Sequence, residues 1–305
     1  MSFATTYQPQ RPFKSQQMVL RGLRHHVLTW GEAAMASADR APLVMLHGWM
    51  DVGASFQFVV DELPPDRFVV ALDWRGFGLS ERTASDSYWF PDYLADLDAL
   101  LDAMFPAQAV DLLGHSMGGN VAMIYAGVRP ARVRRLVNLE GFGMPQTDPA
   151  RAPANYAKWL DELKQPAALR SYESVEAVAR RLQQTNPRLS AARASWLAQQ
   201  WSRLHDDGTW HILADAAHKR RNPVLYQATE VLECWKRIKA PVLWVEGDLT
   251  NVDQWWGDRY PRSEFEARLA VVARLERERL SPAGHMVHHD QPEALARRLD
   301  AFLRG

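Results

Sequence analysis

Short, mostly apolar runs separated by longer amphipathic stretches set the rhythm of this chain. Leu43–Leu46, Phe68–Leu72, Val110–Leu113, Leu136–Leu139 and Val242–Val245 are each four or five residues long. Runs of this kind suit strands covered on both faces, as in a parallel sheet. Between them, apolar positions recur at helical spacing. Ser55–Leu63 carries Phe56, Val59, Val60 and Leu63, and Tyr93–Met104 carries Leu94, Leu97, Leu101 and Met104. Pro64-Pro65 and Pro106 close these two helices, and Asn120–Val128 reads as a third, closed before Pro130. The opening predicts two strands, Met18–Leu23 and His26–Trp30, about a turn at Arg24 and His25, then a loop over 31–40. Strand and helix in alternation imply a doubly wound α/β sheet.

The pattern changes after Met144-Pro145. Residues 146–236 predict helices and no strand, rich in Ala, Arg, Gln and Trp and cut by Pro149, Pro153, Pro166, Pro187 and Pro223. Val242–Val245 then resumes the sheet. A helix over Ser263–Arg274, a charged edge strand near Glu276–Leu280 and a last helix over Pro292–Leu303 follow. The expected organisation is one core, 1–145 with 237–305, interrupted by a helical block at 146–236.

Composition narrows the partners. The 305 residues carry 36 Lys plus Arg against 36 Asp plus Glu, so no basic excess exists to neutralise nucleic-acid phosphates. The single cysteine, Cys234, excludes an intrachain disulfide and any multi-cysteine metal site. No apolar run approaches the roughly 20 residues that span a bilayer. Met1–Lys14 is polar, without the apolar stretch of a signal peptide, so a cytoplasmic protein free of membrane is expected. Twelve Trp residues either fill the core or line an apolar pocket for a small-molecule substrate. Nothing in the chain asks for a cofactor or a metal, and oligomeric state is not legible.

The strongest chemical signal is Gly114-His115-Ser116-Met117-Gly118, followed by Gly119. It stands between a predicted strand and a predicted helix, the context that gives G-x-S-x-G its meaning. Glycines there allow a turn that lifts the serine hydroxyl above the sheet edge. The helix N-terminus adds a positive dipole where an oxyanion forms. A hydroxyl nucleophile needs a base, and position selects His285, in the loop between the last strand and last helix, at the carboxyl edge of the sheet. His288 and His289 share that loop and are expected to face solvent or cap the helix. His47 ends a strand and is expected to be structural, with the Trp49 amide supplying an oxyanion donor beside that of Met117. His25, His26, His205, His211 and His218 read as surface or packing residues.

His47-Gly48-Trp49, Asp73-Trp74-Arg75-Gly76-Phe77-Gly78, Gly114 to Gly119 and Gly284-His285 occur in this order. Together they resemble the α/β-hydrolase fold superfamily over nearly the whole chain. The resemblance implies a mostly parallel eight-stranded sheet with an inserted helical cap, a triad of nucleophile Ser116 and base His285 with an acid, and oxyanion amides at Trp49 and Met117. Asp73 and Arg75 match a stretch that shapes the sheet edge. The acid departs from the common pattern: three residues beyond Gly247 stands Thr250, which cannot ionise. Some relatives of the haloalkane dehalogenases carry the acid one strand earlier, and there Glu140 ends the strand. Glu140 is therefore expected first, Asp248 second and Asp253 third. Dehalogenase chemistry itself is disfavoured, because a serine would form an ether that the enzyme could not hydrolyse. The expected activity is a serine hydrolase of an ester, thioester or lactone of an apolar or aromatic small molecule, carboxylesterase-like and acting through an acyl-enzyme. A carbon–carbon bond hydrolase on the same triad and a non-catalytic small-molecule receptor are the alternatives.

Overall fold

The structure is a computed structural model and describes residues 6–37 and 39–305. Its strands in chain order are β1 (Lys14–Leu20), β2 (Leu23–Trp30), β3 (Leu43–Leu46), β4 (Val69–Leu72), β5 (Val110–His115) and β6 (Val133–Leu139). Then follow β7 (Ser171–Tyr172), β8 (Ser202–Leu204), β9 (Trp210–Ile212), β10 (Val242–Gly247) and β11 (Leu275–Leu280). Eight of these form one sheet in the order β1-β2-β4-β3-β5-β6-β10-β11. β1 pairs antiparallel with β2, and β2 antiparallel with β4; the remaining pairs are parallel.

Alternation persists inside the unbroken apolar runs. Leu43 and Met45 of β3 enter the core on one face of the sheet, and Val44 and Leu46 enter the core on the other. Each face is covered by helices, so both positions of the two-residue repeat must be apolar. β11 is the exception at the sheet edge, where Arg298 pairs with Glu276 and Glu278 at its solvated face.

Register brings the strand ends into line. Leu46 lies opposite Gly114, His115 opposite Leu139, Leu139 opposite Val245, and Gly247 opposite Leu280. The residues that follow β3, β5, β6, β10 and β11 therefore emerge along one carboxyl edge. That edge is where ligands meet open α/β sheets.

Four expectations need correction. The first turn falls at Arg21-Gly22, both with positive φ, and Arg24 and His25 lie inside β2. Residues 146–236 hold a three-stranded antiparallel sheet, β7-β9-β8, beside their helices. Its strands are two or three residues long and only partly buried, so no apolar run betrays them. The helix expected over Ser263–Arg274 spans Arg262–Leu269, because Arg274 has already joined the sheet by accepting the Val242 N–H at 2.8 Å. The loop at 31–40 contains a short 3-10 turn, Ala33–Met35. Ala38 of that loop and residues 1–5 of the Met1–Lys14 stretch lie outside the described residues.

The 146–236 block rests on the loop that follows β4. Gly78 donates its N–H to the Leu213 carbonyl at 2.7 Å, and His218 is stacked between Phe77 and Tyr88, with ring centroids 3.7 and 3.6 Å apart. Five of the twelve tryptophans are buried in the core. Trp30, Trp74, Trp235 and Trp244 are fully buried, and Trp196 packs edge-on against Tyr7 and Phe58. Among the described residues, no helix is long and apolar enough to cross a membrane.

Candidate active site

Ser116 sits between β5 and the helix Met117–Val128 with φ 51° and ψ −113°. A non-glycine residue held there stores roughly 1–3 kcal/mol of strain and persists only where its surroundings fix it. They do: the Ser116 N–H donates to the Leu139 carbonyl at 2.8 Å, and its own carbonyl accepts the Asn120 N–H at 3.0 Å. The flanking glycines answer to close approach. A Cβ on Gly114 would run into the Gly118 carbonyl, and one on Gly118 into the Leu46 carbonyl. Met117 is the first helical residue, so its N–H has no acceptor within the helix.

The turn after β3 is locked by His47. Its Nδ1 donates to the Gly48 carbonyl at 2.7 Å, its Nε2 accepts the Trp74 N–H at 3.0 Å, and its carbonyl accepts the Trp74 indole N–H at 3.0 Å. Burial holds the ring neutral, well suited to one donor and one acceptor nitrogen. With the Gly48 carbonyl tied to His47, the trans peptide turns the Trp49 N–H the opposite way. Gly48 itself lies against Ser116, where an added Cβ would come within 3.3 Å of the serine Cβ.

Asp73 and Arg75 act as framework. Burial alone would raise the Asp73 carboxyl, but the hydrogen bond and charge of His26 at 2.7 Å override it and hold the pKa below the usual range. Asp73 also accepts the N–H groups of Gly53 and Leu79. Arg75 grips the buried Asp96 through two bonds of 2.6 and 2.5 Å.

At the end of β6, Glu140 is buried and takes φ 58°. Its Oε2 lies 3.1 Å from Nδ1 of His285. Its Oε1 accepts the Gly247 N–H at 2.6 Å and the Thr250 hydroxyl at 3.0 Å. A buried acidic side chain is tolerable only when its oxygens are satisfied in this way. Asp248 is engaged elsewhere: one oxygen accepts from the Ser281 hydroxyl at 2.6 Å and the other from the Ala283 N–H at 2.9 Å. The Ser281 bond is the main reason its pKa is lowered. Asp253 opens the short helix Asp253–Trp256, and the carboxylate beside Nδ1 of His285 is that of Glu140. The structure thus brings Glu140, and not Asp248, to His285.

His288 and His289 do not face solvent; both are buried. The short helix Val287–Asp290 turns them inward, where the Ser55 hydroxyl lies 2.7 Å from Nε2 of His289 and 3.3 Å from Nε2 of His288. His115, beside the serine, joins them: its Nε2 donates to the His285 carbonyl at 2.8 Å. A polar pair beside a glycine turn gave no sequence signal of such burial. Around the edge stand exposed apolar side chains, Trp49, Met144, Leu249 and Trp255, each in a segment that follows a sheet strand. Trp255 meets the His285 ring edge-on with centroids 4.7 Å apart.

The profile of the alpha/beta hydrolase fold matches residues 41–292, and the chain belongs to that family. It is 27% identical over 290 residues to a serine hydrolase-like protein of Danio rerio, covering 90% of this chain and 86% of that one. It is 25% identical over 281 residues to the esterase YbfF of Escherichia coli strain K12, covering 89% and 96%. Among solved structures, the thioesterase domain from the curacin biosynthetic pathway superposes with a TM-score of 0.77 at 26% identity, covering 94% of this chain and 99% of that one. These likenesses support a hydrolase.

Proposed function

We propose that the chain is a serine hydrolase that cleaves a carboxylic ester, thioester or lactone of an apolar small molecule through an acyl-enzyme. The observation that carries this reading is the Glu140–His285 pair, 3.1 Å apart, on the same carboxyl edge of the sheet as the strained Ser116 turn. Ser116 Oγ attacks the substrate carbonyl while His285 takes the serine proton. Glu140 stabilises the resulting imidazolium and fixes the ring so that Nδ1 faces it. The amides of Trp49 and Met117 receive the oxyanion, worth roughly 3–4 kcal/mol for one such donor. The leaving group departs with the proton from His285, and water, deprotonated by the same ring, releases the acid.

In this reading residues 146–236 are a cap over the core formed by 1–145 and 237–305. Trp49, Met144, Leu249 and Trp255 supply an apolar rim, which favours an apolar acyl or alcohol group. Turnover of p-nitrophenyl esters of rising acyl length tests the proposal. It expects measurable hydrolysis with a preference above acetate. Turnover no faster in the native chain than in Ser116→Ala would contradict it.

A further inference from the structure

Beside His285 lies a closed group of polar atoms for which the reaction above has no use. Asp51 follows the turn after β3, His115 ends β5, and His288 belongs to the helix Val287–Asp290; all three are buried. Each carries a buried atom with no hydrogen-bond partner among the described residues: Asp51 Oδ2, His115 Nδ1 and His288 Nδ1. One ligand atom from each residue lies within 4.8 Å of the others. Other buried atoms of the fold also lack partners, Trp235 Nε1 among them, but here three residues that each carry one stand close enough to share a common partner.

The donor chemistry says what that partner is. Because His115 Nε2 gives its proton to the His285 carbonyl, its Nδ1 is a bare lone pair. Asp51 Oδ2 is an acceptor as well. Its other oxygen is oriented by the Val52 N–H at 2.9 Å and the Trp201 indole N–H at 2.8 Å. Metal-binding histidines are oriented in this manner, by a second nitrogen that donates to a carbonyl, and metal-binding carboxylates by hydrogen bonds of their own. Burial, reinforced by neighbouring histidines, keeps the rings of His115 and His288 neutral, the form that ligates. Two imidazoles and one carboxylate suit zinc, copper(II), cobalt or nickel and not the oxygen-seeking calcium or magnesium.

We propose that Asp51, His115 and His288 form a site for a single divalent cation of the zinc class, and that its occupation slows turnover at His285. Binding draws the three residues together from their present spacing, leaving a fourth position for water. The dication less the Asp51 charge leaves a net positive charge near His285, whose ring centroid is 4.9 Å from that of His115. Hydrolysis requires His285 to become positive itself, so occupation opposes the step. At an effective dielectric near 20 the loss in kcat is on the order of tens of fold, with KM little changed. The kinetic half rests on the serine hydrolase reading, whereas the binding half does not.

The test starts from chelator-treated full-length chain, titrated with Zn²⁺ by calorimetry and with Co²⁺ by visible absorption. The proposal expects one tight equivalent, a raised Tm, and the strong d–d absorption of four-coordinate cobalt. Asp51→Asn, which keeps an oxygen for Val52 and Trp201, and His288→Gln should each lose that equivalent. His205→Ala with His211→Ala removes a stacked pair outside the cluster, ring centroids 4.0 Å apart, and should keep it. Should the buried variants fail to fold, the cobalt spectrum of the native chain decides, since a weak octahedral spectrum contradicts the site. Loss of all binding in the His205/His211 variant also overturns it. Zn²⁺ should depress kcat for p-nitrophenyl acetate in the native chain. One bound equivalent with undiminished turnover overturns the kinetic half, while binding without any ester turnover upholds the site and refutes the hydrolase reading.

Discussion

Thr250 gives its hydroxyl to Glu140, with Oγ1 3.0 Å from Oε1. The residue that stands where the common pattern keeps its acid has become a support for a carboxylate placed one strand earlier. Together with the Gly247 N–H it holds one carboxyl oxygen, so that the other faces His285. A hydrogen bond to a charged group is worth about 1.5–3 kcal/mol, of which part is felt at the ring. Thr250→Val should therefore lower kcat by roughly three- to tenfold and leave KM nearly unchanged. Steady-state kinetics on one ester checks this, and an unaltered kcat would reduce Thr250 to a spectator.

Glu140→Gln keeps shape and burial but loses the charge that, in the proposed reaction, balances the imidazolium. A drop in kcat of roughly 10⁴ is expected, as at other triad acids. Asp248→Asn should cost less than about tenfold, since its oxygens serve Ser281 and Ala283 and not His285. Comparing kcat of the two variants on the same substrate separates the candidates; a larger loss at Asp248 would move the acid there.

Trp196 and Trp201 belong to the same inserted block yet do different work. Trp196 is buried against Tyr7 and Phe58, so Trp196→Ala should destabilise the chain by about 3–5 kcal/mol, read as a lower urea midpoint. Substrate preference should answer instead to the exposed rim. Leu249→Ala is expected to lower kcat/KM for long acyl esters more than for acetate while the urea midpoint stays within error. A uniform loss across chain lengths would separate that rim from substrate binding.

Stability should fall as pH drops below about 6.5, the unperturbed histidine range. Burial depresses the folded-state pKa of His47, and that of His218 to about 3. Below about pH 6.5 the unfolded chain takes up protons that the folded chain refuses, so each such ring removes about 1.4 kcal/mol per pH unit until its folded pKa is reached. The His218 ring donates to the Arg75 carbonyl and accepts from the Tyr93 hydroxyl, both at 3.2 Å, with Asp215 the nearby charge favouring protonation. His218→Phe is expected to be less stable at pH 7 but to show a shallower decline between pH 6 and about 4. Urea melts across that range test it, and parallel slopes for the two proteins would show that His218 titrates freely when folded.

Where function was legible, it was written in backbone constraints. Gly114 and Gly118 announced the Ser116 turn because no side chain fits at either position. The apolar runs Leu43–Leu46 and Val242–Val245 announced strands because both faces of the sheet are covered. Glu140 could be ranked because Thr250 left the usual position without a carboxylate. What escaped notice depends on contacts far apart in the chain. His288 and Asp51 are buried through partners such as Ser55 and Trp201, and polar residues carry no local sign of that. β7 and β9 are too short to display a period. Trp196 and Trp255 are chemically identical, and only the structure separates the buried ring from the exposed one.

In the proposed reaction Ser116 is the nucleophile of a covalent mechanism. Labelling the native chain with a fluorophosphonate and mapping the modified peptide by mass spectrometry tests it most directly. Stoichiometric modification at Ser116 is expected, with none in Ser116→Ala and a fall of roughly 10⁴–10⁶ in kcat for that variant. Modification at another residue, or ester turnover by Ser116→Ala within tenfold of the native chain, would contradict it.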